Sequence, residues 1–462
     1  MSTGDTALAA PAEQAQTTST APPADARTAH AGPPTSPAPD GEELAAIFRP
    51  VFDRIAAGAI DRETSRTLPF EQVGWLREAR FGALRVPREF GGYGATWRQF
   101  LALLIDLAAA DPNIAHLFRG HIAVVEEKLV APKSETRSLW LRRFGTGDIV
   151  GNASTEPGNT PLLSKQTLLT RNGDGWVLNG TKHYSTGSIF ADWIDASASA
   201  ESGEQVNALV STRQAGVTMS DDWDGFGQKL TGTGTTVFTD ALVEPHAVQD
   251  RTDRLTCIGA VYQIVLLAAV AGIARTQAEE AAEVVRNRKR VYSHGNADLV
   301  RDDPQILQVV GEVTSAAAAA RSLVLGTAPL FEVAFGERRR ANACLLPDAE
   351  ASAESASAVK APGGAALDAT YAVELAVYQA QVVIADIVPR AATHLFDALS
   401  SSAVRIGTAL DRHWRNARTI LSHNPVIYRA RSVGDYAVNG RTPALVAAVG
   451  VAPTTSEKGT DS

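Results

Sequence analysis

The hydrophobic pattern of this 462-residue chain changes its period twice, and this change constrains the fold more than any other feature. From Gly41 to about Gly145, apolar residues recur at helical spacing, as in "EELAAIFRPVFDRIAAGAI". Short Val- and Thr-rich runs cut by glycines follow as far as Pro245, and helical spacing returns from Leu255 to about Ala430. The order of helices, β domain and helices predicts a mainly α protein with a central β domain.

The same pattern predicts the domain boundaries. The first residues are rich in Ala, Pro and Thr and nearly lack large apolar side chains, so burial cannot offset the entropy lost on ordering. A small-residue stretch inside the second helical part predicts a surface loop. We therefore expect a disordered tail at 1–40, an N-terminal helical domain at 41–145, a central β domain at 146–250, a helical bundle at 251–436 with a loop at about 336–367, and a C-terminal tail at 437–462.

The composition narrows the class of protein. The formal net charge of -8 gives no overall field that would favour nucleic acid. Two cysteines are too few for a disulfide framework, and the N-terminus lacks the pattern of a signal peptide, so we expect a cytoplasmic protein. The apolar run Cys257–Ala274 approaches the length of a membrane span, but it contains Gln263 and continues into a charged amphipathic stretch. It predicts a helix buried in an oligomer, not a membrane segment.

Four short motifs carry polar side chains that could serve a site. "VPREFGGYGATW" lacks the strand and helix of a dinucleotide site and predicts a packing turn. "GNASTEPGNT" could bind a planar ring, or simply form a turn. In "NGTKHYSTGS", strand alternation would place Tyr184 and Thr186 on one face and Ser185 on the other, as a wall for a flavin ring or as an ordinary strand. The two histidines of "HLFRGH" are five apart, which disfavours a shared metal.

Three of these stretches, "VPREFGGYGA", "STEPGN" and "GTKHYSTG", together resemble the acyl-CoA dehydrogenase superfamily in their order and spacing. The resemblance covers roughly residues 42–436. It implies an N-terminal helical domain, a β-barrel-like middle domain and a C-terminal four-helix bundle. It also implies a homotetramer with flavin bound between the domains.

A fourth stretch, "DRHWRNARTILSHNPVIY", resembles the flavin-dependent monooxygenase branch of that superfamily, which includes dibenzothiophene and sulfone monooxygenases. The glutamate that is catalytic in many dehydrogenases falls on Asn424, and an amide cannot abstract a proton near neutral pH. The branch implies reduced FMN from a separate flavin reductase, with O2, a C4a-(hydro)peroxyflavin and a small apolar substrate that contains sulfur, an aromatic ring or an amine.

The resemblance also implies site residues. The catalytic candidates are His423, Ser185, Asn152 and His116; the cofactor-binding candidates are Tyr184, Ser185, Thr186, Thr155, Arg288, Arg418 and Asn424. No metal is expected. In "HLFRGH", Gly120 replaces a tyrosine of the branch pattern and Arg119 is added, which points to a different substrate. Two alternatives stay open: an acyl-CoA dehydrogenase with FAD, and a non-catalytic tetrameric binding protein of the same fold.

Overall fold

The computed structural model describes residues 39–156, 166–250, 255, 257–343 and 364–445. Most of the predicted N-terminal tail, the middle of the predicted surface loop and most of the C-terminal tail lie outside these ranges. The described residues form two helical parts and a sheet between them, which confirms the predicted fold class.

The N-terminal part consists of seven helices. They are α1 (Gly41–Ala57), α2 (Ala59–Ser65), α3 (Phe70–Glu78), α4 (Trp97–Ala110), α5 (Pro112–Leu117), α6 (Arg119–Val130) and α7 (Glu135–Gly145). α1 begins at a capping box, in which the Asp40 carboxylate accepts hydrogen bonds from backbone N–H groups and the Glu43 side chain accepts one from the Asp40 N–H. The apolar stripe of α1 is buried at Leu44, Phe48, Phe52 and Ile55, whereas Ile47 is exposed.

The middle part is one mixed sheet of eight strands. They are β1 (Val150–Ala153), β2 (Leu168–Asn172), β3 (Gly175–Lys182), β4 (Trp193–Ala200), β5 (Gln205–Ser211), β6 (Val217–Met219), β7 (Thr236–Val243) and β8 (Val248–Asp250), in the order β6-β7-β3-β2-β4-β5-β8. β1 runs parallel to β4, beside the short β2–β4 pairing. β2 and β3 form a hairpin, in which Asn172 pairs with Gly175 and Gly173 has a φ of 58°.

The C-terminal part consists of α8 (Ile258–Asn287), α9 (Pro304–Gly326), α10 (Ala328–Ala343), α11 (Ala365–Leu399), α12 (Asp411–Leu421) and α13 (Val426–Asn439). α10 continues to Ala343 and α11 begins at Ala365, so both ends of the stretch 336–367, expected to be a loop, are helical, and its middle lies outside the described residues. The reason is that "GERRRANA" is made largely of good helix formers. α13 likewise passes the predicted end of the bundle and stops where Gly440 adopts a left-handed conformation.

α8 is the central helix of the protein and packs against α4, α9 and α11. By length and composition alone, α8, the α9–α10 run and α11 are each apolar enough to cross a membrane. In α8, however, 78% of the apolar window is buried against the rest of the chain. Protein, not lipid, therefore covers the run that the sequence marked as unusually apolar.

Candidate functional site

The candidate site lies where the three parts of the chain meet. Five polar side chains come together there from different elements, and we call them the polar cluster: His116, Arg119, Asn152, Ser185 and His423. In four of them a buried atom has no hydrogen-bond partner among the described residues, namely His116 Nε2, Arg119 Nε, Asn152 Oδ1 and Ser185 Oγ. Buried polar atoms are nearly always paired, so this concentration of unpaired atoms indicates a ligand site.

Ser185 enters the site because the chain turns sharply after β3. The strand ends at Lys182 and Tyr184 has a φ of 58°, so the predicted alternation of side chains does not extend through this segment. Tyr184 is 57% exposed and packs edge-on against Trp223. Ser185 and Thr186 are both buried. The prediction that Tyr184 and Thr186 share one face is therefore wrong, since a turn replaces the end of the strand.

The segment after Ser185 is held against two other elements of the site. Gly187 has a φ of 77°, and a Cβ there would lie 2.6 Å from the Leu117 carbonyl oxygen at the end of α5. The Ser188 hydroxyl donates to the Asn152 carbonyl at 3.3 Å. These contacts place the turn beside both His116 and β1. The Thr186 hydroxyl is already paired with that of Thr233 at 2.8 Å, so it has less capacity left for a cofactor than predicted.

Asn152 stands in β1 directly under α6. A Cβ on Gly120 would lie 3.0 Å from the Asn152 Cβ and 3.1 Å from its Oδ1, so glycine permits this close approach of helix and strand. The buried Oδ1 has no partner in the described part of the chain. Thr155, further along, is exposed and pairs through its backbone with His183, whose N–H donates to the Thr155 carbonyl at 2.8 Å.

His116 lies in the last turn of α5, and Gln228 positions its ring. His116 Nδ1 lies 2.8 Å from Gln228 Oε1, and the backbone N–H of Gln228 donates to Asn416 Oδ1 at 2.6 Å. Because an amide oxygen only accepts, Nδ1 carries the proton and Nε2 presents a lone pair. Burial, with a smaller contribution from Arg119, lowers the pKa of His116 to about 4. The ring is therefore neutral at pH 7.

His121 has a different role. Its Nε2 donates to the Gly82 carbonyl at 2.8 Å, and its Nδ1 accepts from the Val150 backbone N–H at 3.3 Å. Burial lowers its pKa to about 4. Both ring nitrogens are used in packing the N-terminal helices onto β1. Of the two histidines in "HLFRGH", only His116 has a ring nitrogen left for a ligand.

His423 lies in the turn between α12 and α13, and Pro425 is the N-cap residue of α13. Arg119 Nη1 is 3.1 Å from His423 Nε2. Since a guanidinium only donates, His423 Nε2 is the acceptor and its proton lies on Nδ1. The Arg119 cation, then burial and His116, hold the pKa of His423 well below its usual value. Part of the His423 surface remains exposed, which leaves this side of the site open.

Asn424 fixes that turn on the bundle. Its Nδ2 donates to Gln263 Oε1 of α8 at 2.7 Å, and its carbonyl accepts from Gln381 Nε2 of α11 at 3.0 Å. Its amide nitrogen is thus already used within the protein, although the sequence suggested that Asn424 binds the cofactor. Asn424 holds His423 in place.

The arginine-rich stretch of α12, from Arg412 to Arg418, is mostly structural. Arg412 pairs with Glu280, and Arg415 pairs with Glu63 at 2.8 Å, so two of its cations hold the bundle to other elements. Arg418 is exposed on α12 and remains a candidate for a phosphate. Arg288 lies at the far end of α8, about 39 Å from Tyr262 at 1.5 Å per residue, and contacts the Ala398 carbonyl. A single chain does not bring Arg288 to the polar cluster.

Neither Gln228 nor Tyr262 could be identified as a site residue from the sequence. Gln228 lies in a glycine-rich segment whose irregular path has no periodicity from which its neighbours could be inferred. The ring of Tyr262 lies 4.6 Å from the Arg119 guanidinium carbon, a cation–π contact between α8 and α6. The apolar pattern of the sequence predicts that Tyr262 lies in a helix. It does not predict that Tyr262 faces Arg119 of α6.

Three comparisons bear on this site. Residues 151–241 match the family model described as "Acyl-CoA dehydrogenase, middle domain". Dibenzothiophene monooxygenase of Rhodococcus qingshengii is 26% identical over 414 residues, which cover 86% of this chain and 94% of that protein. A "Probable FMNH2-dependent monooxygenase" of Pseudomonas putida is 26% identical over 407 residues, covering 86% of this chain and 95% of that one.

A solved structure is similar over the same extent. Methanesulfinate monooxygenase of Pseudomonas fluorescens superimposes with a TM-score of 0.74 at 25% identity, covering 87% of this chain and 98% of that one. Both helical parts and the sheet are included in a match of this extent. The chain is therefore similar over most of its length to flavin-dependent monooxygenases, and its middle domain matches the acyl-CoA dehydrogenase family.

Proposed function

We propose that this protein is a two-component monooxygenase that takes reduced FMN from a separate flavin reductase and uses O2 to oxygenate a small organic substrate. The observation that carries the proposal is the polar cluster, which brings together side chains from three parts of the chain, four of them with a buried atom that has no hydrogen-bond partner among the described residues. Its relatives of similar length include an FMNH2-dependent monooxygenase and a dibenzothiophene monooxygenase, which supports the same reaction class.

The residues present fit a flavin. An isoalloxazine ring offers hydrogen-bond donors and acceptors along one edge, and the unpaired Ser185 Oγ and Asn152 Oδ1 are buried atoms that such an edge would satisfy. Arg418 supplies an exposed cation for a phosphate. When bound, reduced flavin supplies the electrons and the reaction with O2 that oxygenation requires.

The two histidines perform different tasks at the site. His116 presents the Nε2 lone pair as a hydrogen-bond acceptor, held in place by Gln228. His423 carries its proton on Nδ1 and uses Nε2 to accept from Arg119, so any proton that it donates to an oxygen atom comes from Nδ1. Both rings stay neutral at neutral pH, because their pKa values are lowered. A neutral ring can donate or accept a hydrogen bond without adding charge to the site.

The dehydrogenase alternative lacks its base at the matching position. Asn424 is an amide engaged with Gln263, and it has no basic lone pair with which to remove a proton from a thioester. The buried Glu374 of α11, whose pKa burial raises to about 7, accepts from the Ala260 N–H at 3.0 Å and caps α8 instead. Neither residue supplies the chemistry of that alternative.

Assembly and location are further parts of the proposal. α13 buries none of its residues within the chain, and Ile427 and Val438 on it are 68% and 81% exposed. Only 44% of the apolar window of α11 is buried. We expect further copies of the chain to cover these surfaces in a homotetramer located in the cytoplasm. Light scattering at micromolar concentration tests the assembly.

Oxygenation assays test the proposal directly. The purified protein is combined with FMN, a flavin reductase, NADH and a panel of sulfides, aromatic compounds and amines, and products containing one added oxygen are measured. Oxygenated product that requires FMN and the reductase is the expected result. Tightly bound FAD that an acyl-CoA reduces would favour the dehydrogenase instead, and failure to bind either flavin in either redox state would favour the binding protein.

A further inference from the structure

Arg119 is a cation with no carboxylate partner in the part of the chain that the structure describes. Of the four arginines that are buried in the described structure, Arg62, Arg85 and Arg412 each contact an Asp or Glu. The fourth, Arg338, resembles Arg119 in that its Nε has no hydrogen-bond partner among the described residues, but it lies in α10, outside the polar cluster. No carboxylate of the described residues lies within ion-pair distance of Arg119. Its contacts are the Tyr262 ring and His423 Nε2, both of which are uncharged. Removing a charge from water is costly unless another group compensates for it.

The free edge of Arg119 has the shape that recognises an oxyanion. Nη1 is turned to His423, while Nε is buried and has no hydrogen-bond partner among the described residues. A guanidinium binds carboxylate, sulfinate or sulfonate groups with two parallel N–H donors. The Tyr262 ring, 4.6 Å from the guanidinium carbon, restricts the movement of the group before a ligand arrives.

The charges of the surrounding side chains favour the same ligand. Arg119 is the main cause of the lowered pKa of His423 and contributes to that of His116, so it lies close enough to act on both rings. Both rings are neutral at pH 7, and Asn152 and Ser185 carry no charge. The polar cluster therefore has a net charge of about one positive unit, which a monoanion would neutralise.

We infer that the substrate of this enzyme is an organic anion and that Arg119 binds its carboxylate, sulfinate or sulfonate group. The inference rests on the proposed monooxygenase function and adds the substrate class to it. The reacting atom lies elsewhere in the same molecule, beside the flavin. Arg119 stands on the side of the cluster formed by α6, α8 and the His423 turn, where His423 is partly exposed, whereas Ser185 and Asn152 belong to the β domain. A substrate that enters beside His423 meets Arg119.

Two matched pairs of probes test the inference. Benzoate and benzamide are similar in shape and differ in charge, and so are 4-(methylsulfanyl)benzoate and 4-(methylsulfanyl)benzamide. Binding of the first pair is measured by calorimetry in a buffer of low anion content, with and without FMN. Turnover of the second pair is measured with reductase, NADH and O2, where one oxygen atom enters the sulfide and the other leaves as water with the electrons of reduced FMN.

Two variants are compared. Arg119→Gln keeps N–H donors but removes the charge, and Arg119→Lys keeps the charge but loses the pair of parallel N–H donors. Arg98→Gln, at an exposed arginine of α4, is the matched control. Hydrogen bonds to charged groups predict that the wild type and the control prefer the anion by roughly tenfold to a hundredfold. This preference should disappear in Arg119→Gln and be reduced in Arg119→Lys, while benzamide binding stays the same. Because no described carboxylate pairs with Arg119, its replacement should not lower the thermal midpoint of unfolding. If Arg119→Gln does not fold, the comparison is made with Arg119→Lys.

Each result has one meaning. Equal binding of benzoate and benzamide by the wild type overturns the inference, and so does an anion preference that persists in Arg119→Gln. If Arg119→Gln loses FMN affinity and anion preference together, Arg119 serves the flavin and the inference is also overturned. Failure of the proposed function looks different, because the wild type would then prefer benzoate but oxygenate neither sulfide. For sulfinate or sulfonate, benzenesulfinate and benzenesulfonate replace benzoate in the same calorimetry.

Discussion

The buried histidines should make the protein sensitive to mild acid. His116 is 7% exposed and His121 is 0% exposed, and burial lowers the pKa of each to about 4. Between pH 4 and about 6.5, the ordinary value for histidine, the unfolded chain binds more protons than the folded protein. The free energy of unfolding should therefore be fully retained above pH 6.5 and fall as the pH is lowered towards 4.

The size of this effect follows from the difference between the two pKa values. At about 1.4 kcal/mol for each pKa unit, each histidine should account for about 3 kcal/mol of the loss between pH 6.5 and 4. A typical domain has about 5–15 kcal/mol of stability in total, so two such groups would account for a large share of it. Burial is the largest cause in both cases, so the effect should depend little on salt.

Urea unfolding from pH 7.5 to 4.5 measures the effect in the wild type and in His116→Gln and His121→Gln. Glutamine can replace one hydrogen bond of each ring but cannot take up a proton in this range. His121→Gln should be less stable than the wild type at pH 7.5 by about 1 kcal/mol for its second, lost hydrogen bond. His116 makes one hydrogen bond in the described structure, so His116→Gln should lose no hydrogen bond at pH 7.5. Both variants should lose less stability than the wild type on acidification. The exposed His294→Gln is the control and should follow the wild type. If the free energy of unfolding fell equally with pH in the wild type and in both variants of the buried histidines, the reasoning would be refuted.

Three other changes test separate parts of the structure. His423→Ala should fold and bind FMN but give about 100-fold less product with a matching rise in hydrogen peroxide, measured against NADH consumed; unchanged coupling would make His423 structural. Gly187→Ala should lower the free energy of unfolding by about 3 kcal/mol, through backbone strain and the close carbonyl, whereas Gly173→Ala, with nothing within 4 Å, should show only about 1–2 kcal/mol of strain; equal losses would contradict this. Removing residues 1–38 should leave the thermal midpoint unchanged, while Asp40→Ala should cost about 1 kcal/mol at the cap of α1.

The period of the apolar residues was sufficient to predict the order of the elements. The 30-residue helix α8 and the β2–β3 hairpin follow directly from local patterns, because burial of an apolar face and the turn residues decide both. The end of β3 could not be predicted in this way. The residues from Tyr184 to Thr186 read as a continued strand, but Tyr184 adopts a positive φ and Ser185 pairs through its backbone with Gly234. A contact between residues so far apart along the chain leaves no local signal.

The arginine-rich stretch shows a second limit of prediction from sequence. Its arginines are plain in the sequence, but the glutamates that pair with Arg412 and Arg415 come from α8 and α2, more than a hundred residues earlier in the chain. Asp411, one turn before Arg415, is a local partner as well. Arg119 is the opposite case, an arginine that the structure leaves without a described carboxylate. It stands alone in an otherwise ordinary helical segment, and only the fold reveals that no described carboxylate approaches it. Whether an arginine serves structure or ligand therefore depends on partners that the sequence does not place.

The electrostatics of the site connect the fold to the kind of chemistry that it can support. Proton abstraction from a thioester needs a basic group, but Asn424 is an amide bound to Gln263, and Arg119 lowers the proton affinity of both histidines. The same features suit oxygenation, because neutral rings and unpaired hydrogen-bonding atoms can stabilise polar oxygen species without protonating them prematurely. One cation, restricted in its movement by Tyr262, then remains to bind a substrate of opposite charge. The arrangement that disfavours a dehydrogenase is thus the arrangement that an oxygenase of organic anions requires.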